Sequence, residues 1–174
     1  ISGIRILELD ALTYSSTGDW LDLSGNGGNM YLQNGAVYNS SDHCFDYPTS
    51  AISTSLASSY TTLSTMSVAV WIKLIGYPPG GDHTIIGGST WGLRMDSNSS
   101  LNFVKYIVTD QTVNGLSFVT GQWYHIVASV DATETRYYVN GNKVATYYES
   151  RQMNTPSNQI NIGSNNNLNA KIGK

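Results

Sequence analysis

The stretch Trp123–Tyr148, WYHIVASVDATETRYYVNGNKVATYY, restricts the fold more than any other part of the chain. In Trp123–Asp131 every second residue (Tyr124, Ile126, Ala128, Val130) is apolar or aromatic. Side chains alternate sides along a strand, so a period of two describes a strand with one face on a core. Further on, Tyr137–Val139 and Lys143–Ala145 flank Asn140-Gly141. Asn and Gly both accept positive φ, which a type I′ turn needs at its two central residues, and that turn matches the twist of paired strands. Asp131–Glu134 is a polar link between the two halves. The segment therefore predicts three antiparallel strands in a meander.

The same grammar extends over the rest of the chain. Ile4–Leu9 alternates and predicts a first strand. Short strands are expected at Met30–Gln33, closed by Asn34-Gly35, at Val37-Tyr38, and at His43–Tyr47, stopped by Pro48. Met66–Ile75 places Met66, Val68, Val70, Ile72 and Leu74 in one stripe and is the second strong strand. After the Gly/Pro loop Gly76–Asp82 come short strands at His83–Gly87, Trp91–Met95, Leu101–Tyr106, Ile107–Thr112, Gln159–Ile162 and Ala170–Ile172. Ile52–Leu63 spaces its apolar residues like a helix, but it is filled with Ser and Thr, which favour turns and strands. It is expected to be loop and short strand. Roughly a dozen short strands without an amphipathic helix predict an all-β sandwich or barrel. A length of 174 residues fits one domain, residues 1–174, with a sizeable core.

Charged residues are scarce, at 12%, and Ser, Thr, Asn and Gly take their place. The nine basic residues are scattered and the net charge is −3, which excludes the clustered Lys and Arg that phosphate backbones require. A surface of hydroxyls, amides and 12 tyrosines suits neutral polar partners such as sugars. No apolar run approaches a membrane span, so no membrane insertion is expected. The single cysteine, Cys44, forbids an intrachain disulfide and reads as a small buried residue.

Six motifs in order carry a family resemblance. They are Trp20-Leu21-Asp22-Leu23-Ser24-Gly25-Asn26-Gly27, Phe45-Asp46, Met66–Lys73 with its Trp71, Gly121–Ala128 (GQWYHIVA), Tyr138-Val139-Asn140-Gly141 and Ile160–Gly163. Together they resemble a laminin-G-like module of the concanavalin A-like jelly-roll superfamily, of the type found in phage, viral and microbial surface proteins. The resemblance implies an all-β, two-sheet antiparallel jelly-roll sandwich. Two features depart from the family pattern: Tyr47-Pro48-Thr49 replaces the usual segment after the F-D strand, and the closing strand is short. The domain is therefore expected to be part of a longer chain, with its last strand truncated or supplied from elsewhere.

Catalysis of the glycosidase type needs two carboxylates held about 5–9 Å apart. The chain has three glutamates, Glu8, Glu134 and Glu149, and only Glu8 and Asp10 alternate on one expected strand. These read as surface charges, so no enzyme is expected. The three histidines lack metal-ligand spacing, and His125 reads as scaffold. Asp22 and Asn26 put a carboxylate and a carboxamide in one tight loop, the hard oxygen chemistry calcium prefers, and related modules often bind Ca²⁺ at such an edge. The competing expectation is a turn in which the two side chains cap local backbone groups. For sugar binding, Tyr77, Asp82, His83 and Trp91 gather on or after the Gly/Pro loop and are the expected ligand residues. Trp71 and Trp123 fall opposite the clean apolar stripes. They are expected to fill a second small core beneath loops, because large exposed apolar patches are rare; the alternative is an exposed aromatic floor.

The resulting expectation is a non-catalytic recognition module on a cell exterior or virion surface, with a glycan as partner. The alternative is a structural decoration module contacting neighbouring protein subunits without sugar. The glycan assignment follows from family analogy, since a fold of this kind does not fix function.

Overall fold

A computed structural model describes residues 5–48, 51–55, 65–77, 81, 83–88, 91–96, 100–105, 111–148, 159–163 and 168–173. A 3₁₀ turn at Ala11–Thr13 precedes fourteen strands among these residues. They are β1 (Tyr31–Gln33), β2 (Val37–Asn39), β3 (Cys44–Tyr47), β4 (Ile52–Ser55), β5 (Met66–Leu74), β6 (His83–Gly87) and β7 (Trp91–Met95). The rest are β8 (Leu101–Lys105), β9 (Gln111–Val113), β10 (Trp123–Val130), β11 (Glu134–Val139), β12 (Asn142–Tyr148), β13 (Ile160–Ile162) and β14 (Ala170–Ile172). Two seven-stranded antiparallel sheets result, with orders β1-β4-β13-β6-β7-β8-β9 and β12-β11-β10-β5-β14-β3-β2. The expected two-sheet jelly-roll sandwich is the observed architecture.

The meander is β10-β11-β12, as its alternation predicts. Tyr124, Ile126, Ala128 and Val130 are buried, while Trp123, His125, Val127 and Ser129 are only partly covered. Asn140 and Gly141 have φ of 50° and 80°, the positive values a type I′ turn needs. β10 pairs along its whole length with β5, from Trp123↔Lys73 to Val130↔Met66. The buried Val68, Ile72 and Leu74 of β5 face the same core. Each such large apolar side chain contributes about 1.5–3 kcal/mol on leaving water.

Tyrosine hydroxyls tie the sheets across that core. Tyr47 on β3 meets the Ser53 hydroxyl on β4 at 2.7 Å. Tyr137 on β11 donates to the Gln111 carbonyl on β9 at 2.9 Å, and Tyr147 on β12 donates to the Thr112 carbonyl at 2.6 Å. Burial pushes the Tyr47 phenol well above its ordinary range, so the hydroxyl stays protonated.

The expected strand at Ile4–Leu9 does not form in its described part. The Glu8 N–H is taken by the Asp22 carboxylate at 3.0 Å, and the Glu8 carbonyl accepts from Leu23 N–H at 2.8 Å. Backbone groups spent on that loop cannot join a ladder. Met30 instead makes a single bridge with Trp20. Within Ile52–Leu63, β4 is the described part; residues 56–64, like 106–110, lie outside the described residues.

Candidate functional site

The second sheet buries one face of its central strands and leaves the other partly exposed. On β5 and β10 the outward residues form cross-strand pairs, Trp71 opposite His125 and Lys73 opposite Trp123. Trp71 is 38% exposed and Trp123 is half-buried, so the expected second core beneath loops is not what holds them. The Trp71 indole and His125 imidazole lie with centroids 4.9 Å apart, tilted by 34°. The Asn140 side chain fixes His125 by accepting its backbone N–H at 2.9 Å, and His125 O accepts from Asn140 N–H at 2.8 Å. The Lys73 ammonium sits 5.1 Å from the Trp123 ring centroid, a cation–π contact.

The row continues across the sheet through Lys171 on β14, opposite Lys73, to Asp46 on β3, opposite Lys171. Asp42, in the turn before β3, closes it. One of its oxygens meets Lys171 Nζ at 2.8 Å and Lys73 Nζ at 3.2 Å. Asp46 lies 3.2 Å from Lys171. Hydrogen bonds and charge from the two ammoniums lower the Asp42 pKa, and Asp42 in turn raises that of Lys171. Trp71, His125, Trp123, Lys73, Lys171, Asp46 and Asp42 thus make one aromatic and charge-balanced strip.

Beside the strip the sheet is incomplete among the described residues. β14 pairs β5 only at Leu74–Ile72, and Gly173 N–H adds one bond to the Trp71 carbonyl at 3.1 Å. Next to the Ala69–Trp71 edge lies a cavity of about 240 Å³, lined among others by Leu7, Leu9, Trp20, Val70 and Ile162, with Trp71 and His125 at its margin. The strip therefore has a flat aromatic part and a recess.

The structure does not assemble the expected ligand residues. His83 is fully buried, and Trp91 is 8% exposed. Trp91 opens β7 and lies parallel to Phe103 on β8, with rings 6.1 Å apart and 11° between planes. Both are packed into the first sheet and do not present the surface expected of ligand residues. Tyr77 is exposed, and its hydroxyl donates to the Phe118 carbonyl at 3.1 Å. Asp82 lies outside the described residues.

Asp22 and Asn26 act as clamps in the loop closed by the Trp20–Met30 bridge. The Asp22 carboxylate accepts N–H bonds from Glu8 (3.0 Å), Ser24 (2.9 Å) and Gly28 (2.9 Å), and the Ser24 hydroxyl at 2.7 Å. The Asn26 amide donates to the carbonyl of Arg5 at 2.9 Å and to Ser24 Oγ at 2.9 Å. Burial pushes the Asp22 pKa up, but the bonds from Glu8, Ser24 and Gly28 outweigh it and leave the carboxyl below its ordinary range. Calcium needs six to eight oxygen ligands. Both Asp22 oxygens are already spent on donors, and no group of three metal-ligating side chains gathers among the described residues. As folded, the loop is a hydrogen-bonded turn, the competing expectation for these two side chains.

Three of the acids weighed for catalysis are tied into structure, and Glu149 lies outside the described residues. Glu8 pairs with Arg5, Asp10 caps the 3₁₀ turn through Leu12 N–H at 2.9 Å, and Glu134 pairs with Arg136. Burial pushes the Cys44 thiol up to about 11, which leaves it protonated. No described helix is long and apolar enough to cross a membrane.

Residues 48–173 match the model of a laminin-G type family described as the Concanavalin A-like lectin/glucanases superfamily. The chain belongs to this superfamily. Similar solved structures agree with this concanavalin A-like fold. The binding domain of botulinum neurotoxin DC, in complex with SialylT, is 20% identical with a TM-score of 0.74, over 97% of this chain and 46% of that one. A tryptophan-to-alanine mutant of HCR/D is 17% identical with a TM-score of 0.75, over the same shares. Trypanosoma rangeli sialidase, in complex with sialic acid, is 12% identical with a TM-score of 0.66, over 95% of this chain and 29% of that one. The chain thus spans less than half of these larger chains. No curated protein matches it in sequence.

Proposed function

We propose that this concanavalin A-like domain is a non-catalytic carbohydrate-recognition module whose sugar contacts lie on the outer strip of the second sheet. The observation that carries this reading is the exposed Trp71 indole on the half-buried His125, beside Trp123 and Lys73. A sugar ring offers an apolar C–H face and a rim of hydroxyls. The Trp71 plane meets the first, and the Lys73, Lys171 and Asp46 heads meet the second. The recess at Ala69–Trp71 gives a bound ring a wall. Similarity to a toxin binding domain in complex with SialylT and to a sialidase in complex with sialic acid adds support. We extend the reading to display on a cell exterior or virion surface, which the low-charge, hydroxyl-rich composition supports. Binding in this reading is independent of calcium.

Glycan-array binding with the wild type, Trp71→Ala and Tyr77→Ala tests it. Trp71→Ala is expected to weaken binding about tenfold or more, as truncation of a central aromatic contact does, and Tyr77→Ala to leave it unchanged. Circular dichroism checks that both variants fold. Equal binding by wild type and Trp71→Ala overturns the site. Absence of any glycan binding, together with a stable complex with a protein subunit, turns the assignment to a structural decoration module.

A further inference from the structure

Lys73 and Lys171 stand directly opposite each other on neighbouring strands. Like charges in that position repel and destabilise a sheet. Here the repulsion is offset by carboxylates brought to the pair, Asp42 on both lysines and Asp46 on Lys171. The lysine side chains are 17% and 16% exposed along their stems, but both ammoniums end at the Asp42 carboxylate, whose side chain is 39% exposed, so dissolved anions can reach the pair. One oxygen of Asp42 spans both, at 3.2 Å and 2.8 Å. Asp42 comes from neither strand. It is held there by the Ser40–His43 turn, where Asn39 Oδ1 accepts the N–H of Ser41 and of Asp42, both at 3.1 Å, and His43 takes φ of 49°. The arrangement is two cations converging on a carboxylate oxygen delivered by a loop.

We propose that the Lys73–Lys171 pair is an anion-binding site that Asp42 masks, so that the strip accepts uncharged sugars and refuses sugars bearing a carboxylate. This rests on the carbohydrate reading for its sugar half alone; the masking itself rests on the pair and the loop. With Asp42 in place the row holds two lysines against two aspartates, Asp42 and Asp46, and its charge is zero. An incoming carboxylate meets the Asp42 carboxylate and finds its cations already engaged. Repulsive elements of this kind set specificity as much as attractive ones do.

The test compares the wild type, Asp42→Asn, Asp42→Ser and the double variant Asp42→Asn with Lys171→Met. In the first arm, sulfate is titrated while thermal stability is followed. Sulfate is expected to stabilise both single variants saturably, with affinity about 3- to 10-fold above the wild type, the range one freed ion pair allows. The gain is expected to vanish in the double variant and to weaken in high chloride. In the second arm, array glycans are compared with the same glycans capped by sialic acid. The wild type is expected to prefer the uncapped member of each pair, and Asp42→Asn to shift toward the capped one. If single variants gain no sulfate affinity, or the double variant keeps the gain, the masking is refuted. If the wild type binds capped glycans as well as uncapped ones, the selectivity is refuted. If no protein binds any glycan, the carbohydrate reading fails, and the sulfate arm still decides the masking.

Discussion

Replacing Asp22 by alanine removes the acceptor for three backbone N–H groups and one hydroxyl. Bonds to a charged group are worth about 1.5–3 kcal/mol each when they must replace nothing else. Asp22 is half-buried, however, so water can reach some of the freed donors. The net loss is set at about 2–3 kcal/mol, which for a domain of this size lowers Tm by roughly 4–12 °C. Asp22→Asn is expected to fall nearly as far, because an amide accepts on one oxygen only and turns an NH₂ toward the donors on the other side. The carboxyl pKa is depressed in the folded state, so its contribution is fully present above the unfolded value of about 4 and is lost as pH falls through the folded pKa. Urea unfolding at pH 7, 5, 4 and 3 should show a constant gap between wild type and Asp22→Ala down to about pH 4, and a closing gap below. Calcium chloride should raise the Tm of neither protein. A calcium-dependent rise in the wild type that Asp22→Ala abolishes would show the carboxylate to be a metal ligand, and the clamp reasoning would fall.

Two further outcomes follow from the core. Trp91→Ala should cost about 3–5 kcal/mol in urea unfolding, as large-to-small changes in packed interiors do, because the indole lies on Phe103 inside the first sheet; a loss of ligand binding without a loss of stability would return Trp91 to the site. Tyr137→Phe removes the bond to the Gln111 carbonyl and leaves that acceptor without it. A stability loss of about 1 kcal/mol is expected, and an unchanged urea midpoint would mean that the hydroxyl does not tie the sheets.

What could be read from the sequence was local. Alternation in Trp123–Val130 and Met66–Leu74 marks the two central strands, and Asn140-Gly141 marks the hairpin of β11 and β12 that completes the meander after β10. The misassignment of Trp91 came from treating nearness to the Gly/Pro loop as nearness in space. Its own strand carried the opposite signal: Trp91, Leu93 and Met95 alternate, and all three are buried. His83 gave less warning, since a histidine at the start of a strand suits an exposed edge as well as a core. The Asp22 loop was visible as a motif, but whether its oxygens face donors or an ion depends on Glu8, which arrives from the segment before the turn. The charged row was beyond local reading altogether. Asp42 and Lys171 are 129 residues apart, and they meet only because β14 inserts between β3 and β5.

The location of the candidate site follows from which faces the fold leaves free. In the first sheet, consecutive residues of β6, β7 and β8 are buried, including His83, Thr84 and Ile85, then Trp91, Gly92 and Leu93, then Leu101, Asn102 and Phe103. Consecutive strand residues point to opposite faces, so these strands are covered on both sides and have none to offer. In the second sheet the same test gives alternation on β10, buried at even positions and partly open at odd ones. Aromatic side chains on an open face lose water-excluding contacts that a core would supply, and a fold under no other demand replaces them with polar residues. The open face here keeps Trp71, His125 and Trp123 and flanks them with two opposed lysines. These residues partner one another through ring, cation–π and ion-pair contacts, and they converge on one strip. The tyrosines, which composition offered as sugar contacts, act in part as ties between sheets, so the proposed recognition site is built on the tryptophans and the charges instead.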